Sequence, residues 1–249
     1  MSVPRSRAAS GGAARVSRSL REGEPSNKGP ARRLSREMIL QAALRVVETE
    51  GAEALTVRSL GEELEMHNTA FYRYFRDKEE LLRGVADLIL AEVVDGIAVK
   101  PSAGRDTQLA AARQMITRLR SVLVLHPAAA EVLAPGPSRQ SNEIVLTETL
   151  LALLRAAGLS AEASASTYHV LIEYAVGSAR IDAPMALRSA DERSAVYRRW
   201  RADYLALSAE EFPTIIELAQ HLYQGADEQF ERGLDLLFAG IRSELGRRR

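Results

Sequence analysis

The chain has 249 residues, with 33 basic and 33 acidic side chains, no cysteine and an apolar fraction of 46%. This length fits one large or two small domains, and the lack of cysteine excludes disulfide frameworks, Cys-ligated metal sites and thiol catalysis. No run of about 18 apolar residues is present to span a membrane, no apolar stretch follows the N-terminal arginines as in a secretory signal, and zero net charge alone argues against a nucleic-acid partner.

Residues 1–34 differ in composition from the rest of the chain. Serine, glycine, alanine, proline and arginine dominate, so the segment lacks the apolar surface that offsets the entropy of ordering, and we predict a disordered N-terminal arm. Its eight basic residues against two acidic ones give a net charge of +6, which leaves −6 on the remaining residues. The zero net charge is therefore the balance of two opposed regions and does not exclude DNA.

Helical periodicity begins at Ser35. The first predicted helix follows an N-cap at Ser35 and ends at Gly51. Two short helices come next, one capped by Thr56 and one over about 68–75. A long helix then opens at Asp77 and carries apolar residues at helical spacing, so this region is predicted to contain four helices.

Beyond residue 100, prolines and glycines divide an Ala- and Leu-rich sequence into further helices. We predict them near 105–125, 128–133, 140–157, 161–182, 191–207, 213–222 and 226–245. No alternating strand pattern of useful length and no repeat of 20–50 residues is present. The predicted fold is all-α.

Residues 56–75 have the dimensions of a helix-turn-helix unit. A helix of eight or nine residues leads through a tight turn at Glu65-Met66 into a second helix of one to two turns. In such a unit the second helix enters the major groove and presents its N-terminal side chains to base edges. We therefore expect a three-helix DNA-binding domain over 35–83, followed by a second helical domain over 84–249.

The helix-turn-helix stretch resembles the TetR family of bacterial transcriptional regulators. The matching text is LTVRSLGEELEMHNTAFYRYFRDKEELL. Its family marks are the opening Leu55-Thr56-Val57-Arg58, the core residues Leu60 and Leu64, the aromatic cluster Phe71-Tyr72-Arg73-Tyr74-Phe75, and Lys78 with Leu81 and Leu82. A weaker similarity over 150–158 and 230–237 resembles the C-terminal domain of tetracycline-repressor-like members. The resemblance implies a cytoplasmic bacterial protein whose C-terminal domain binds a ligand and dimerises.

The resemblance assigns DNA contacts to ten residues, whose chemistry fits those roles. The guanidinium of Arg58 can bind guanine O6 and N7 through two hydrogen bonds, Asn68 can contact an adenine, and Ala70 leaves room for a thymine methyl. Thr69 can donate to a base or a phosphate, and Arg73 can contact either. The complete set is Thr56, Val57, Arg58, Asn68, Thr69, Ala70, Tyr72, Arg73, Tyr74 and Lys78.

Four of these positions contact phosphate or have an alternative role. Tyr72 and Tyr74 place hydroxyls toward phosphates, although Tyr74 is alternatively a half-buried packing residue. Lys78 stands at a helix N-terminus, where free amides and the helix dipole favour an anion. Thr56 caps a helix in any interpretation.

Three departures from the family pattern affect the tilt of the recognition helix. Glu65 stands where the family usually has a turn glycine, so either Glu65 adopts a left-handed conformation or the turn differs. Gly61 replaces an alanine at a cost of about 1 kcal/mol of helix propensity. His67 replaces a serine and is a poorer cap.

The predicted DNA-binding domain is itself acidic. Residues 35–83 carry seven basic and ten acidic side chains, although the cations fall around the recognition helix. Because DNA affinity depends on neutralising phosphates, we expect the arm to supply the missing attraction, with Arg32 and Arg33 entering a minor groove. The alternative is a solvated tail or a translation start assigned too far upstream.

The resemblance implies a homodimer in which the helices near 161–182 and 226–245 pack against their symmetry mates. A two-fold dimer presents two recognition helices, so the DNA partner is a near-palindromic double-stranded operator with half-sites about one helical turn apart. Small side chains would permit close helix approach in this interface: Ala163, Ala165, Ala175, Gly177 and Ala179.

The ligand-binding residues are inferred from two helices. The family's pocket is lined partly from the helix near 105–125, and a second helix, near 161–182, borders both pocket and dimer interface. The candidates are Met115, Arg118, Leu119, Val122 and His126 from the first helix, and Tyr168, His169 and Ile172 from the second. His126 is alternatively a helix-end residue.

No metal, catalytic group or cofactor is predicted. His169 and Glu173 have a spacing of four that suits a metal or a catalytic imidazole, but such a pair is more often a contact on a half-exposed helix face. Ala134 aligns roughly with a histidine that helps hold magnesium in tetracycline-binding members, so neither tetracycline nor magnesium is expected.

These features predict a DNA-binding transcriptional repressor released from its operator by a small-molecule inducer of unidentified structure. One alternative is an activator or a regulator of the same fold without such a ligand. The other is a helical enzyme that has lost DNA binding, which lacks a nucleophile–base pair, a metal-ligand set and a glycine-rich phosphate loop.

Overall fold

The structure is a computed structural model that describes residues 34–65, 68–97, 99 and 103–247. These residues form eleven α-helices, two short 3-10 helices and no strand, so the all-α prediction is confirmed. The helices are α1 (Arg36–Glu50), α2 (Val57–Leu64), α3 (Asn68–Phe71), α4 (Lys78–Val94), α5 (Arg105–Leu125), α6 (Pro127–Leu133), α7 (Ser141–Ala156), α8 (Ala161–Ala186), α9 (Ala190–Leu205), α10 (Pro213–Leu218) and α11 (Ala226–Arg247). The N-terminal arm lies outside the described residues, except for Leu34.

Side-chain caps fix the starts of the N-terminal helices. The Ser35 hydroxyl accepts a hydrogen bond from the Met38 amide at 3.2 Å before α1. The Thr56 hydroxyl accepts from the Ser59 amide at 3.0 Å before α2, and the Ser59 hydroxyl accepts from the Thr56 amide at 2.9 Å, which completes a capping box. The Asp77 carboxylate accepts from the Glu80 amide at 2.6 Å and starts α4.

The N-terminal helices pack closely around α4. Gly84 on α4 faces α1, and a Cβ added there would lie 2.6 Å from Leu40 Cδ2, so a larger residue would force the two helices apart. The rings of Phe71 and Phe75 are buried against these helices, and the guanidinium of Arg36 lies over the Phe75 ring at 4.8 Å from its centroid. This packing holds α2 and α3 on one side of the bundle.

α4 belongs to both halves of the chain. It packs against α1 on one side and against α5, α6 and α7 on the other, and buried side chains of the N-terminal and C-terminal helices form one continuous core. The predicted domain boundary between residues 83 and 84 lies inside this helix. A displacement of α4 therefore changes both halves at once.

The C-terminal half is centred on the packing of α5 against α8. α9 and α10 are different, because neither helix contains a fully buried residue. Aromatic contacts hold this part together: Trp200 meets the Tyr223 ring edge-on, and Tyr204 stacks on Tyr223 with ring centroids 6.0 Å apart. Trp200 is thus a packing residue.

Candidate functional site

A left-handed residue makes the turn between α2 and α3. Glu65 has φ 50° and ψ 40°, and its amide donates to the Gly61 carbonyl at the end of α2. A non-glycine residue in this region is uncommon and costs conformational energy. The turn therefore keeps the form that a glycine usually supports, and the first of the two expectations for Glu65 is confirmed.

The aromatic cluster after this turn divides between the core and the surface. Phe71 and Phe75 are buried with their rings stacked, and their centroids are 5.7 Å apart. Tyr72 lies between them in sequence, is 63% exposed and meets the edge of Phe71, and Arg73 is also exposed. The buried rings fix α3 on the bundle while Tyr72 and Arg73 face solvent.

Arg58 projects from α2 into solvent. Its side chain is exposed, and Nε lies 3.0 Å from Glu62 Oε1 one turn later. An exposed pair at this spacing contributes only about 0.3–0.5 kcal/mol. The guanidinium can therefore exchange Glu62 for a base edge at little cost.

The remaining predicted contact residues at the start of α2 and on α3 differ in their exposure. Thr56 is exposed at the N-cap and Val57 is half-buried in the first turn of α2. Ala70 is half-buried on α3. Asn68 and Thr69 begin α3, and the side-chain roles predicted for them lie outside the part of the chain that is described.

Tyr74 occupies a different position from the outward one predicted for it. Its side chain is half-buried, and its hydroxyl donates to the Leu34 carbonyl at 2.5 Å. The bond joins the end of the recognition segment to the residue at which the N-terminal arm ends. Since the hydroxyl proton is used here, Tyr74 acts first as a packing residue, the alternative that the sequence left open.

The cations around α3 and the start of α4 differ in whether they form an ion pair. Arg76 and Glu80 form an ion pair with Nε and Oε2 3.0 Å apart, and the Arg76 backbone amide and then its guanidinium hold the pKa of the Glu80 carboxyl below its usual range. Arg73 and Lys78, in contrast, form no ion pair with a described acidic side chain. Both are exposed cations beside the recognition segment.

A cavity of about 730 Å³ lies between α4, α5, α7 and α8 and the α6–α7 connection. Four of the eight predicted ligand residues line it: Leu119, Tyr168, His169 and Ile172. Ala134 also borders it. The size is in the range of small-molecule sites, so these four residues come together at a cavity that can hold a ligand.

The other four predicted ligand residues lie elsewhere. Met115 and Val122 are buried in the core and do not line the cavity. Arg118 donates to the Asp95 carbonyl at the end of α4 at 2.5 Å. His126 Nδ1 lies 3.3 Å from Glu48 Oε1, which connects the α5–α6 junction to α1.

Several polar residues near the cavity were not predicted from the sequence. Glu143 and Thr147 on α7 line it, and the Asp87 carboxylate on α4 accepts from the Glu143 amide at 2.9 Å and from the Asn142 side-chain amide at 3.3 Å. Asp87 thereby caps α7, whose N-cap residue Gln140 makes no side-chain cap. The only signal in the sequence is the four-residue spacing of Glu143 and Thr147.

Arg120 forms a buried charge network that the sequence also did not indicate. Its guanidinium binds the carboxylates of Asp182 at 2.8 Å and Asp227 at 2.7 Å, and lies over the Phe230 ring. Burial lowers the pKa of Arg120, but hydrogen bonds to both carboxylates outweigh it and the net shift is upward. The network ties α5 to α8 and to the start of α11.

The small residues predicted to allow close packing of helices in a dimer differ in their exposure. Ala175 and Ala179 are fully buried within the chain and are not available to a partner. α8 and α11 also carry exposed apolar side chains: Val170, Ile181 and Leu236. Ala165 is exposed and Ala163 and Gly177 are half-buried, so these three small residues stay accessible on α8.

The described residues hold neither a membrane span nor a metal cluster. None of their helices combines the length and apolar character needed to cross a membrane. Within the same ranges, no group of three or more His, Cys, Asp or Glu side chains is placed to hold a metal ion. His169, Glu173 and Glu143 all border the cavity, but among the described residues they are not grouped so as to hold a metal ion.

Comparison with known proteins identifies relatives of both halves. Residues 39–85 match the family described as bacterial regulatory proteins, tetR family, and residues 100–245 match the tetracyclin repressor-like C-terminal domain. An HTH-type transcriptional regulator of Saccharopolyspora erythraea is 30% identical over 221 residues, 86% of each chain. The HTH-type transcriptional repressor DrrR1 of Streptomyces coeruleorubidus is 25% identical over 233 residues, 91% of this chain and 84% of its own.

A solved structure has the same arrangement of helices. ActR of Streptomyces coelicolor, a TetR family protein in complex with actinorhodin, superposes with a TM-score of 0.76 at 25% identity. The match covers 86% of this chain and 99% of ActR. The similarity therefore includes both halves of the molecule.

Proposed function

The chain belongs to the TetR family of bacterial regulatory proteins, and from this premise we propose how its surfaces bind DNA and a ligand. It is a helix-turn-helix transcriptional regulator that binds operator DNA as a dimer and responds to a small molecule. We further propose that it is a repressor, as the name of its relative DrrR1 says of that protein. The supporting observation is the outward face of α2 and α3, held by two buried phenylalanines.

Contacts with bases and with phosphates come from different side chains. Arg58, exposed on α2 and weakly paired with Glu62, can form the bidentate contact with guanine. Tyr72, Arg73 and Lys78 are exposed around α3 and the start of α4, where hydroxyl and cationic groups contact phosphate. Asn68, Thr69 and Ala70 lie on the recognition helix itself, and we assign them to base edges.

Thr56, Val57 and Tyr74 support these contacts. Thr56 is both the cap of α2 and an exposed hydroxyl at the end of the unit, so it can contact phosphate without losing its structural role. Val57 follows it on α2. Tyr74 holds Leu34 through its hydroxyl, and this bond anchors the residue that precedes the N-cap of α1.

Dimerisation places two recognition helices for a two-fold symmetric operator. We assign the interface to α8 and α11, where exposed Val170, Ile181 and Leu236 provide apolar area. In an isologous interface both subunits contribute the same surface patch, so these residues of one subunit pack against the corresponding region of its partner. Half-sites about one helical turn apart follow from this symmetry.

Ligand binding acts on DNA through α4. Asp87 on α4 accepts hydrogen bonds from the start of α7, and α7 lines the cavity. His126 at the start of α6 meets Glu48 on α1, which is a second link between the halves. A ligand that prefers an altered position of α7 by a few kcal/mol would move α4 and change the spacing of the two recognition helices.

DNase footprinting on the DNA upstream of the protein's own gene tests this function. We expect one or more protected near-palindromic sequences, with a dimer bound to each in analytical ultracentrifugation. Matched DNA with one half-site scrambled is the control and should bind much more weakly. Equal affinity for the intact and the scrambled site would contradict sequence-specific binding by a dimer.

A further inference from the structure

Three polar side chains form a hydrogen-bonded row along the α7–α8 side of the 730 Å³ cavity. The Thr147 hydroxyl lies 2.9 Å from Glu143 Oε1 and 2.8 Å from the Tyr168 hydroxyl. The other carboxylate oxygen, Glu143 Oε2, accepts from the Arg139 amide at 3.0 Å. All three side chains line the cavity, and we call them the polar row.

The direction of the hydrogen bonds in the polar row is fixed by the carboxylate. An ionised carboxylate only accepts, so Thr147 donates to Glu143, and Tyr168 must then donate to Thr147. Burial raises the pKa of Tyr168 and outweighs the opposing hydrogen bond with Thr147, so its phenol keeps the proton that this direction requires. Both hydroxyl protons are used within the row, and only acceptor lone pairs on Tyr168 and Glu143 are left.

The charged side chains around the cavity also favour a neutral or cationic ligand over an anion. Glu173 also borders it, and the guanidinium of Arg180 is held in two hydrogen bonds by Glu131, at 3.0 and 2.9 Å. Among the described lining residues no arginine or lysine is therefore free of a carboxylate partner. An anionic ligand would meet Glu143 and Glu173, and it could gain a cation only by displacing Glu131 from Arg180.

Building on the proposed ligand response, we propose that this cavity selects neutral or cationic ligands with an apolar body and a hydrogen-bond-donating hydroxyl or amine directed at the polar row. A donor satisfies the free acceptors of Tyr168 and Glu143. A ligand with only ether or carbonyl oxygens has no proton to donate. It removes water from these acceptors and leaves the hydrogen bonds that the water made unreplaced. Sites built around such a hydrogen bond discriminate strongly against analogues that lack the donor.

Two tricyclic probes, in which the same oxygen carries either a proton or a methyl group, test the proposal. Calorimetric titration of the full chain with 9-phenanthrol and with 9-methoxyphenanthrene should give a Kd about tenfold or more lower for the phenol. In the Thr147→Val/Tyr168→Phe double variant the two Kd values should approach each other to within about threefold. Tyr197→Phe, at a tyrosine of a second cavity, is the matched control and should keep the wild-type ratio.

Equal Kd values in the wild type, an unchanged ratio in the double variant, or binding of neither probe would overturn the proposal. If the double variant loses its helical circular dichroism, Glu143→Gln replaces it. Its amide can donate to Thr147 and free a hydroxyl proton for the ether, so the ratio should again fall. Footprinting with the same wild-type sample separates the two hypotheses: DNA binding without probe discrimination contradicts only this inference, whereas absence of DNA binding contradicts the proposed function.

Discussion

Two arginines in different regions of the molecule show how differently one side chain can be used. Arg58 lies on α2 with 86% of its side chain exposed, 3.0 Å from a single carboxylate. Arg120 lies on α5 with 6% exposed, and binds Asp182, Asp227 and the Ser178 hydroxyl. Both are ion-paired, yet only the exposed one can change partner.

The difference follows from solvation. An exposed ion pair contributes little free energy because water already stabilises both charges. Arg58 can therefore leave Glu62 at a small cost in free energy. A buried charge that loses its partner keeps its desolvation penalty, so Arg120 is held in place. The DNA-binding face therefore carries weakly engaged cations, and the C-terminal core carries strongly engaged ones.

Removing Arg120 should give the largest loss of stability. Arg120→Ala leaves the mostly buried Asp182 with only Ser178 as a described hydrogen-bond partner, and breaking a buried pair in this way costs about 3–5 kcal/mol. Chemical denaturation followed by circular dichroism measures the free energy of unfolding.

Two controls bracket this expectation. Asp227 is 86% exposed, so Asp227→Asn should cost less than about 1 kcal/mol. Arg58→Ala should change the free energy of unfolding by less than about 0.5 kcal/mol. Similar losses for Arg58→Ala and Arg120→Ala would show that burial does not separate the two arginines.

The sequence predicted features that depend on local chemistry. Ser35, Thr56 and Asp77 act as helix caps as their residue types indicate. Phe71 and Phe75 are both buried as predicted, although α3 ends at Phe71 and the helix predicted to about residue 75 is shorter. The left-handed turn at Glu65 could be anticipated because a family position was known.

Long-range pairs could not be predicted in the same way. Arg120 meets Asp182 and Asp227 across separations of 62 and 107 residues, and no periodicity relates such positions. Asp87 caps α7 from α4, 56 residues earlier. Met115 and Leu119 are one turn apart on α5, yet only Leu119 borders the cavity, because the packing of neighbouring helices decides which turn faces it.

Replacing Asp87 should have the next largest effect. Asp87→Ala removes the acceptor of the Glu143 amide, whereas the Asn142 side-chain amide keeps its hydrogen bond to the Asp87 backbone carbonyl at 2.9 Å. Leaving one partly buried donor unsatisfied costs about 1–3 kcal/mol. Thermal and chemical denaturation measure the loss. Asp95→Ala, at the exposed end of the same helix, is the matched control, and an equal loss there would argue against a specific capping role.

The N-terminal arm extends the comparison of weakly and strongly paired cations to residues outside the described part of the chain. If the arm adds weakly engaged cations to the DNA-binding face, deleting residues 1–30 should make the salt dependence of operator affinity shallower by about 0.9 for each phosphate that the arm neutralises. Fluorescence anisotropy at several salt concentrations gives the slope. An unchanged slope would exclude the arm from phosphate binding.

The smallest expected effect concerns Glu80 and depends on pH. Hydrogen bonds from Arg76 hold the pKa of Glu80 below its ordinary value of 4.5, so the ionised carboxyl stabilises the folded state above that value. This contribution is lost as the pH falls through the folded-state pKa. Glu80→Gln should therefore be slightly less stable than the wild type at neutral pH, and the two melting curves should converge in acid.

The most direct test of the DNA-binding surface is the operator affinity of the Arg58→Ala/Tyr72→Ala double variant. Both side chains are exposed, so the variant should fold and dimerise normally. Removing a good base contact costs about 1–3 kcal/mol, and the two substitutions together should abolish detectable binding to the footprinted site. The Arg198→Ala variant on α9, which removes the same charge, should bind like the wild type. Wild-type affinity in the double variant would contradict the assignment of this surface.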